Sequence, residues 1–417
     1  MLRVPVRSKH TMADAALQPV NHRRIILAGM LALACAMGIG RFAFTPLLPM
    51  MLHDGSTTLA GASWLASANY IGYLVGALLC MFKPVPHATV MVRVGLISTL
   101  VLTLGMALPW PASWPLLRFA AGVASALVFV YTSGWCLSQA ALRGHTSLGA
   151  LIYTGPGAGI VLTGLAASGM VVADWHASSG WLAFGLLALG LTLAIWPVFH
   201  SRNTLHAPAV APTATTNAAP DHSALEVALL ALAYGIAGFG YIITATFLPV
   251  IARQALPGSA WLDLFWPILG CGVIVGALVA SRMQQIRDLR LALLGCYLIQ
   301  AAGVALSLVM PSLAGFALGS LLVGLPFTAI TYFAMQEARR IRPHHIASTI
   351  GLLTALYGLG QILGPPMAAY LLAHAATPAA GFDLALEIAA GSLVFGAVMF
   401  GVLARGYPVR QRPKSLC

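Results

Sequence analysis

The sequence predicts an all-α polytopic membrane protein whose twelve transmembrane helices form two parallel six-helix repeats. Three observations carry that expectation. Only 8% of the 417 residues are charged while 59% are hydrophobic, and the mean hydropathy is +0.88. Soluble domains run near 25% charged. Twelve apolar runs are each long enough to cross a ~30 Å hydrocarbon core, which takes about 20 residues of helix. The lysines and arginines fall almost entirely in alternate connections, the pattern of a fixed membrane orientation. The net charge of +12 then describes basic residues gathered on one side of a bilayer, and a nucleic-acid partner is not expected.

The runs can be taken in order. The first, 25–50, contains "GIGRFAFTPLLP" (38–49), an arginine among glycines and prolines inside membrane-grade sequence. Its segment "LALACAM" faintly resembles a signal-peptidase site, but the run extends to about Leu52 and reads as a membrane helix. The second, 60–82, carries Asn69 and Tyr73 one turn apart. The third is 89–109. The fourth, 114–140, has Arg118 near its outer end and a helical stripe of Tyr131, Trp135 and Gln139. The fifth, 147–172, contains Gly155-Pro156, and the sixth is 180–199. A stretch rich in Ala, Pro and Thr follows, 200–223, without helical periodicity, and reads as a flexible linker. The seventh run, 225–250, carries Tyr241. The eighth, 260–281, begins with Asp263, and the ninth is 289–310. The tenth, 313–336, has Thr328 and Tyr332. The eleventh, 346–372, has Thr354, Tyr357, Gln361 and Gly364-Pro365. The twelfth, 382–404, has Glu387 near its outer end.

Twelve crossings put both termini on one side. On that side fall Arg3, Arg7, Lys9, Arg23, Arg24, Lys83, Arg93, Arg143 and Arg202. Arg282, Arg287, Arg290, Arg339, Arg340, Arg342, Arg405, Arg410, Arg412 and Lys414 join them, 19 of the 22 basic residues. Arg253 alone sits in an opposite loop, and Arg41 and Arg118 lie within spans. Both termini are therefore expected in the cytoplasm. The six cysteines include no CxxC pair, so neither a disulfide framework nor a zinc site is expected, and they read as small packing residues. His344 and His345 are adjacent in a loop, which is a poor metal site. No cofactor is expected.

The chain repeats itself. Gly38, Gly40, Leu48 and Pro49 match Gly238, Gly240, Leu248 and Pro249 at an offset of 200 residues, and "GYLVGAL" (72–78) parallels "GVIVGAL" (272–278) at the same offset. Two like-oriented six-helix halves with a linker between them resemble the major facilitator superfamily, and "MGIGRFAFTPLLPMM" (37–51) resembles the first-helix signature of its YbfB/YjiJ-type branch. "RFAAG" (118–122) resembles the superfamily's fourth-helix pattern, and "GPGAG" (155–159) part of a fifth-helix motif of antiporters. The resemblance implies the major facilitator fold and a midplane site between the halves. It also implies a cavity bordered by helices 1, 2, 4, 5, 7, 8, 10 and 11. The connection after helix two departs from the family: "CMFKPVPHATVMVR" (80–93) has no acidic residue.

Arg41 lies about 24 Å along a helix begun at Ile25, at 1.5 Å per residue. Charge at such depth costs at least about 2.5–3.5 kcal/mol. Snorkelling to the outer headgroups is disfavoured because Cα–Cβ bonds lean toward the helix N-terminus. A structural ion pair or a tie to backbone carbonyls stays open beside a binding role. Pro46 and Pro49 remove hydrogen bonds to the carbonyls of Phe42 and Thr45, and broken backbone at depth is tolerated where it lines a wet cavity. Thr45 shares the Arg41 face, and a guanidinium there can grip a carboxylate in bidentate fashion. The expected substrate-binding residues are Arg41, Thr45, Asn69, Tyr73, Tyr131, Tyr241, Tyr332, Tyr357 and Gln361. The expected gating or coupling residues are Arg118, Gly155, Pro156, Asp263, Glu387, Pro46 and Pro49. For each polar residue, plain interhelical hydrogen bonding is the competing reading.

No catalytic cluster stands at one depth, so an enzyme is not expected, and no segment outside the spans is long enough for a sensor's output domain. The expected function is secondary transport of a small organic anion by alternating access; the alternative is efflux of apolar or cationic compounds. The expected organisation is a tail (1–24), an N-terminal bundle (25–199), a linker (200–223), a C-terminal bundle (224–404) and a tail (405–417). The expected setting is the bacterial cytoplasmic membrane. The expected partners are the bilayer, a small-molecule substrate and a coupling proton, for a chain that works as a monomer.

Overall fold

The computed structural model describes residues 22–82, 87–142, 150–200, 223–259, 261–283, 286–343 and 345–408. Most of the two tails and of the linker, and Lys83, Arg143 and His344, lie outside the described residues. Among the described residues the chain is helical throughout its ordered elements, with no strand. Twelve helical units follow one another: α1 (His22–His53), α2 (Leu59–Phe82), α3 (Ala88–Gly105), α4 (Trp114–Leu142), α5 (Ala150–Val172) and α6 (Ala177–His200). After the linker come α7 (Ala224–Ala255), α8 (Leu262–Arg282), α9 (Leu289–Val309), α10 (Leu313–Ile341), α11 (Ile346–His374) and α12 (Pro378–Gly406). Eleven of these are long and apolar enough to cross a membrane. The remaining unit, α11, is 29 residues long and contains no Asp, Glu, Lys or Arg.

Local chemistry sets the helix starts. Ser223 caps α7 by accepting from the Glu226 N–H, in the Ser-x-x-Glu spacing of a capping box. Ser312 and Thr377 cap α10 and α12 in the same way. Pro378 opens α12, and Pro156 opens the regular part of α5 after a 3-10 turn at Ala150–Thr154, where a missing N–H costs nothing. Gly155-Pro156 is thus a helix start.

The peripheral helices α3, α6, α9 and α12 turn apolar stripes outward, for instance Ile97 and Val101, Leu186 and Leu193, or Phe395 and Val402. Such surface belongs against lipid tails. By contrast α1 is almost wholly buried from Ile25 to Met51, and α7 nearly so. The repeat seen in the sequence is present in space. The Thr45 hydroxyl donates to the Ala245 carbonyl at 2.8 Å, so two residues 200 positions apart meet across the axis relating the halves. Small residues let the central helices cross closely. A Cβ on Gly159 would stand 2.5 Å from the Ala34 carbonyl and 2.7 Å from the Gly38 Cα, so α1 and α5 touch backbone to backbone. Gly238 meets the α11 backbone at Tyr357 in the equivalent place.

Two helices are interrupted. In α10 the regular helix stops at Gly324 and resumes at Phe327, around Pro326, whose ring nitrogen has no proton to give. In α1 the break comes earlier than the prolines suggest. Residues Ala34–Ile39 form a π-helix, with the Gly40 N–H on the Cys35 carbonyl (3.1 Å) and the Phe42 N–H on the Met37 carbonyl (3.0 Å). The Phe42 carbonyl is not left free, because the Thr45 N–H has moved onto it (3.2 Å). That shift strips the Arg41 carbonyl of its helical donor. Pro46 and Pro49 lie beyond the break, packed inside the outer part of α1.

Candidate functional site around Arg41

Twelve helical units in succession bring His22 and Pro408 to one end of the bundle, here the terminal end; the opposite end is the far end. Arg41 lies about 18 Å from the far end of α1, at 1.5 Å per residue. It is 3% exposed, so its side chain does not snorkel to a surface. Its Nη2 donates to the Gln361 Oε1 at 2.7 Å. The Gln361 amide nitrogen donates in turn to the Tyr241 hydroxyl. The guanidinium carbon lies 4.1 Å from the centre of the Tyr73 ring, 5.2 Å from Tyr70 and 5.4 Å from Phe42. Its Nε has no hydrogen-bond partner. None of the ion pairs among the described residues involves Arg41. Ring faces compensate a cation only in part, by roughly 0.5–2 kcal/mol each, so the layer holds a buried positive charge without its anion.

Arg118 supplies the contrast. It is 2% exposed and is not an interfacial anchor. Its two terminal nitrogens donate to the carbonyls of Gly40 (3.2 Å) and Arg41 (3.1 Å), the backbone that the π-helix leaves open. Its guanidinium also lies 5.0 Å from the Phe44 ring. Asn69 completes this brace: Nδ2 donates to the Arg118 carbonyl at 2.9 Å and lies 3.4 Å from that of Gly40. Asn69 and Tyr73 share a helix face, yet Asn69 turns into the α1–α2–α4 packing and only Tyr73 reaches Arg41.

The remaining predicted residues divide as follows. Tyr357 belongs to the Arg41 layer, with its ring 6.0 Å from Tyr241. Thr45 ties α1 to α7 at the far side of the layer. Tyr131 and Tyr332 are half-buried toward the terminal end, on α4 and α10. Along α10, Thr328, Thr331, Tyr332 and Met335 form a half-buried stripe, while Ala329, Ile330, Phe333 and Ala334 between them are buried. Asp263 is paired with Arg253 at 2.5 Å, at the far end. Arg253 is itself in the last turn of α7, not in a loop. Glu387 is exposed on the outer flank of α12 and faces no other predicted residue.

Sequence reasoning missed several partners. Tyr70 bonds Thr246 at 3.0 Å across the halves, and Ser67 donates to the Ile362 carbonyl at 3.0 Å. Tyr234 stacks on Tyr357 at 4.7 Å, and Phe327 meets Tyr241 edge-on at 5.0 Å. The seven-residue spacing of Tyr234 and Tyr241 on α7 was an available signal. A separate ion network at the terminal end was also missed. Arg290, 1% exposed, is bonded to Asp288 (2.9 Å) and to the carbonyls of Leu403 and Tyr407, with Glu226 and Glu337 each 3.6 Å away. Burial alone would push the Asp288 carboxyl up, but its bonds from the Arg290 side chain and backbone outweigh that and hold it below the ordinary carboxylate value.

Comparison with known proteins decides the family. The sequence family described as "Uncharacterised MFS-type transporter YbfB" matches residues 33–400. The chain belongs to that family. It is thus a multi-pass membrane transporter of the major facilitator superfamily, and not an enzyme. A Bacillus subtilis (strain 168) relative, "Uncharacterized MFS-type transporter YceJ", is 26% identical over 355 residues, covering 80% of this chain and 86% of the relative. Among solved structures, a point mutant of the nucleoside transporter NupG superposes with a TM-score of 0.69 (15% identity, 92% of this chain, 99% of that one). A second NupG structure gives 0.64 (16% identity, 92% and 98%). At that identity the likeness extends to the major facilitator fold alone.

Proposed function

We propose that this MFS transporter carries a small organic anion and that Arg41 holds the anionic group. The observation that carries the proposal is the buried Arg41 guanidinium, whose one hydrogen bond goes to a neutral amide oxygen and which has no carboxylate beside it. Uncompensated buried charge is costly, and a substrate carboxylate supplies the missing partner with the bidentate geometry that arginine favours. Gln361 occupies part of that position and would give it up. Thr45, Tyr73, Tyr241 and Tyr357 complete the layer.

The transport cycle is read as alternating access, with 25–199 and 224–404 as the moving halves and 200–223 as their linker. Side-chain hydrogen bonds join the halves through Arg41–Gln361, Thr45–Ala245, Ser67–Ile362, Tyr70–Thr246 and Ser168–Asp263. All lie at the Arg41 layer or beyond it toward the far end. Half-buried Tyr131 of α4 and the half-buried stripe of α10 lie on the other side. This pattern supports a conformation closed at the far end. The basic bias assigns the terminal end to the cytoplasm of a bacterial inner membrane, so the vestibule would face inward. A coupling proton has no carboxylate to occupy in the Arg41 layer among the described residues; Asp263 is paired and Glu387 points outward. The chain is read as working as a monomer.

Thermal unfolding of the purified protein with small carboxylates, sugars, amino acids and cationic drugs tests the proposal. A carboxylate should raise Tm in the wild type and leave Arg41→Ala unmoved. Stabilisation of both by a neutral or cationic ligand would replace the proposal with the efflux reading.

A further inference from the structure

The hydrogen bond between Arg41 and Gln361 joins the two halves, and each end is fixed by its own half. On the α1 side, Arg118 holds the Arg41 carbonyl at 3.1 Å. On the α11 side, glycines flank Gln361 and press the helix onto α7. A Cβ on Gly360 would stand 2.4 Å from the Gly235 carbonyl, and one on Gly364 would stand 2.3 Å from Ile242 Cγ2. The amide can therefore leave Arg41 by turning its own side chain, while the α11 backbone stays against α7. Gln361 is 2% exposed, and both ends of its amide are used. The oxygen accepts from Arg41 at 2.7 Å and the nitrogen donates to the Tyr241 hydroxyl. A guanidinium offers no acceptor, so only this orientation of the amide serves both neighbours.

The oxygen on Arg41 is neutral but tethered. Tethering gives a group a high effective concentration against any free competitor. A free amide, ester or alcohol that displaces Gln361 replaces one neutral acceptor by another and gains nothing. A carboxylate gains the stronger bond between two charged groups. The side chain that keeps the guanidinium from standing bare also sets the threshold a solute must exceed.

We infer that Gln361 is a built-in stand-in for the transported anion: it occupies Arg41 in the empty protein, competes with the solute for the guanidinium, and keeps neutral acceptors out. The inference rests on the anion reading above and deepens it. It gives Gln361 the reverse of a direct ligand's role, because loss of a competitor tightens binding and loss of a ligand weakens it.

The test uses the full chain in lipid nanodiscs, melted over a concentration series of acetate against matched chloride. Acetate has the shape of the group that Gln361→Ala removes, and acetamide is its neutral counterpart. Acetate should stabilise Gln361→Ala at about one tenth of the concentration that the wild type needs, the factor expected for losing a competing bond to a charged group. It should have no effect on Arg41→Gln/Gln361→Ala. Acetamide should leave the wild type unmoved and stabilise Gln361→Ala less than acetate does. Equal or weaker action of acetate on Gln361→Ala than on the wild type overturns the stand-in and leaves the anion reading standing. Equal action of acetate with and without Arg41, or no action on any variant, overturns the anion reading and this inference with it. Gln361→Glu needs no added ligand and serves if Gln361→Ala fails to fold. With a carboxylate in place it should melt above the wild type and ignore acetate, and a lower Tm than the wild type overturns the inference.

Discussion

Two arginines lie side by side in the membrane interior and meet different needs. Arg118 directs its donors to two backbone carbonyls that α1 cannot satisfy, and such charge-assisted bonds contribute about 1.5–3 kcal/mol each. Arg41 bonds a single neutral amide oxygen and otherwise faces rings. Without substrate, Arg118→Met should therefore destabilise the protein by about 3 kcal/mol or more. Arg41→Met should cost clearly less, because it removes a poorly compensated charge. Thermal or denaturant unfolding of both variants checks the order, and the reverse order would make Arg41 a structural residue. Arg41 was legible in the sequence because a charge among glycines and prolines at that depth has few explanations. Arg118, Asn69 and Thr45 were visible as polar residues, but not their purpose. Each serves backbone carbonyls, and a one-dimensional sequence does not display which carbonyls have lost their donors.

The helices themselves were legible, since hydropathy marks a span directly. Their irregularities were not. Pro46 and Pro49 announce a disturbance in α1, yet the wide turn forms upstream of them, where α5 crosses at Gly159 and Arg118 takes the open carbonyls. The join between helices at the terminal end was equally hidden. Arg290 and Arg340 read as loop charges on the positive side, while the acids that neutralise them are scattered through the starts and ends of α7, α9 and α10. Asp288 caps α9 and holds Arg290, which in turn reaches the last turn of α12. Asp288→Asn should lower stability by about 1.5–3 kcal/mol, the range for a hydrogen bond to a charged group. The folded-state pKa of Asp288 is depressed, so its contribution is complete above the unfolded value of about 3.9 and is lost as pH falls below it. Wild type and variant should thus converge in Tm at strongly acidic pH, as melts in a buffer series would record.

At the scale of the molecule, the side-chain hydrogen bonds that join the two halves among the described residues include a set at the Arg41 layer and beyond it toward the far end. Access should follow that asymmetry. In a chain whose native cysteines have been replaced, Met335→Cys on the α10 stripe should react with a bilayer-impermeant maleimide presented at the terminal end. Thr246→Cys, fully buried beyond the layer, should be spared. Equal labelling of the two would contradict closure at the far end. The contact of Thr45 with Ala245 has a consequence for how such a chain can have diverged. Positions 200 apart face each other near the axis, so whatever stands in one half confronts its own counterpart. Arg41 has Tyr241 as that counterpart, and both bind the same glutamine. An arginine at both positions would add a third cation beside Arg41 and Arg118, which already lie buried together, and so further repulsion in a region of low dielectric. Symmetry can persist through the glycines and prolines that shape the helices. At the position that holds the charge it has to be broken, and a solute lying across the axis is thereby given a head and a tail.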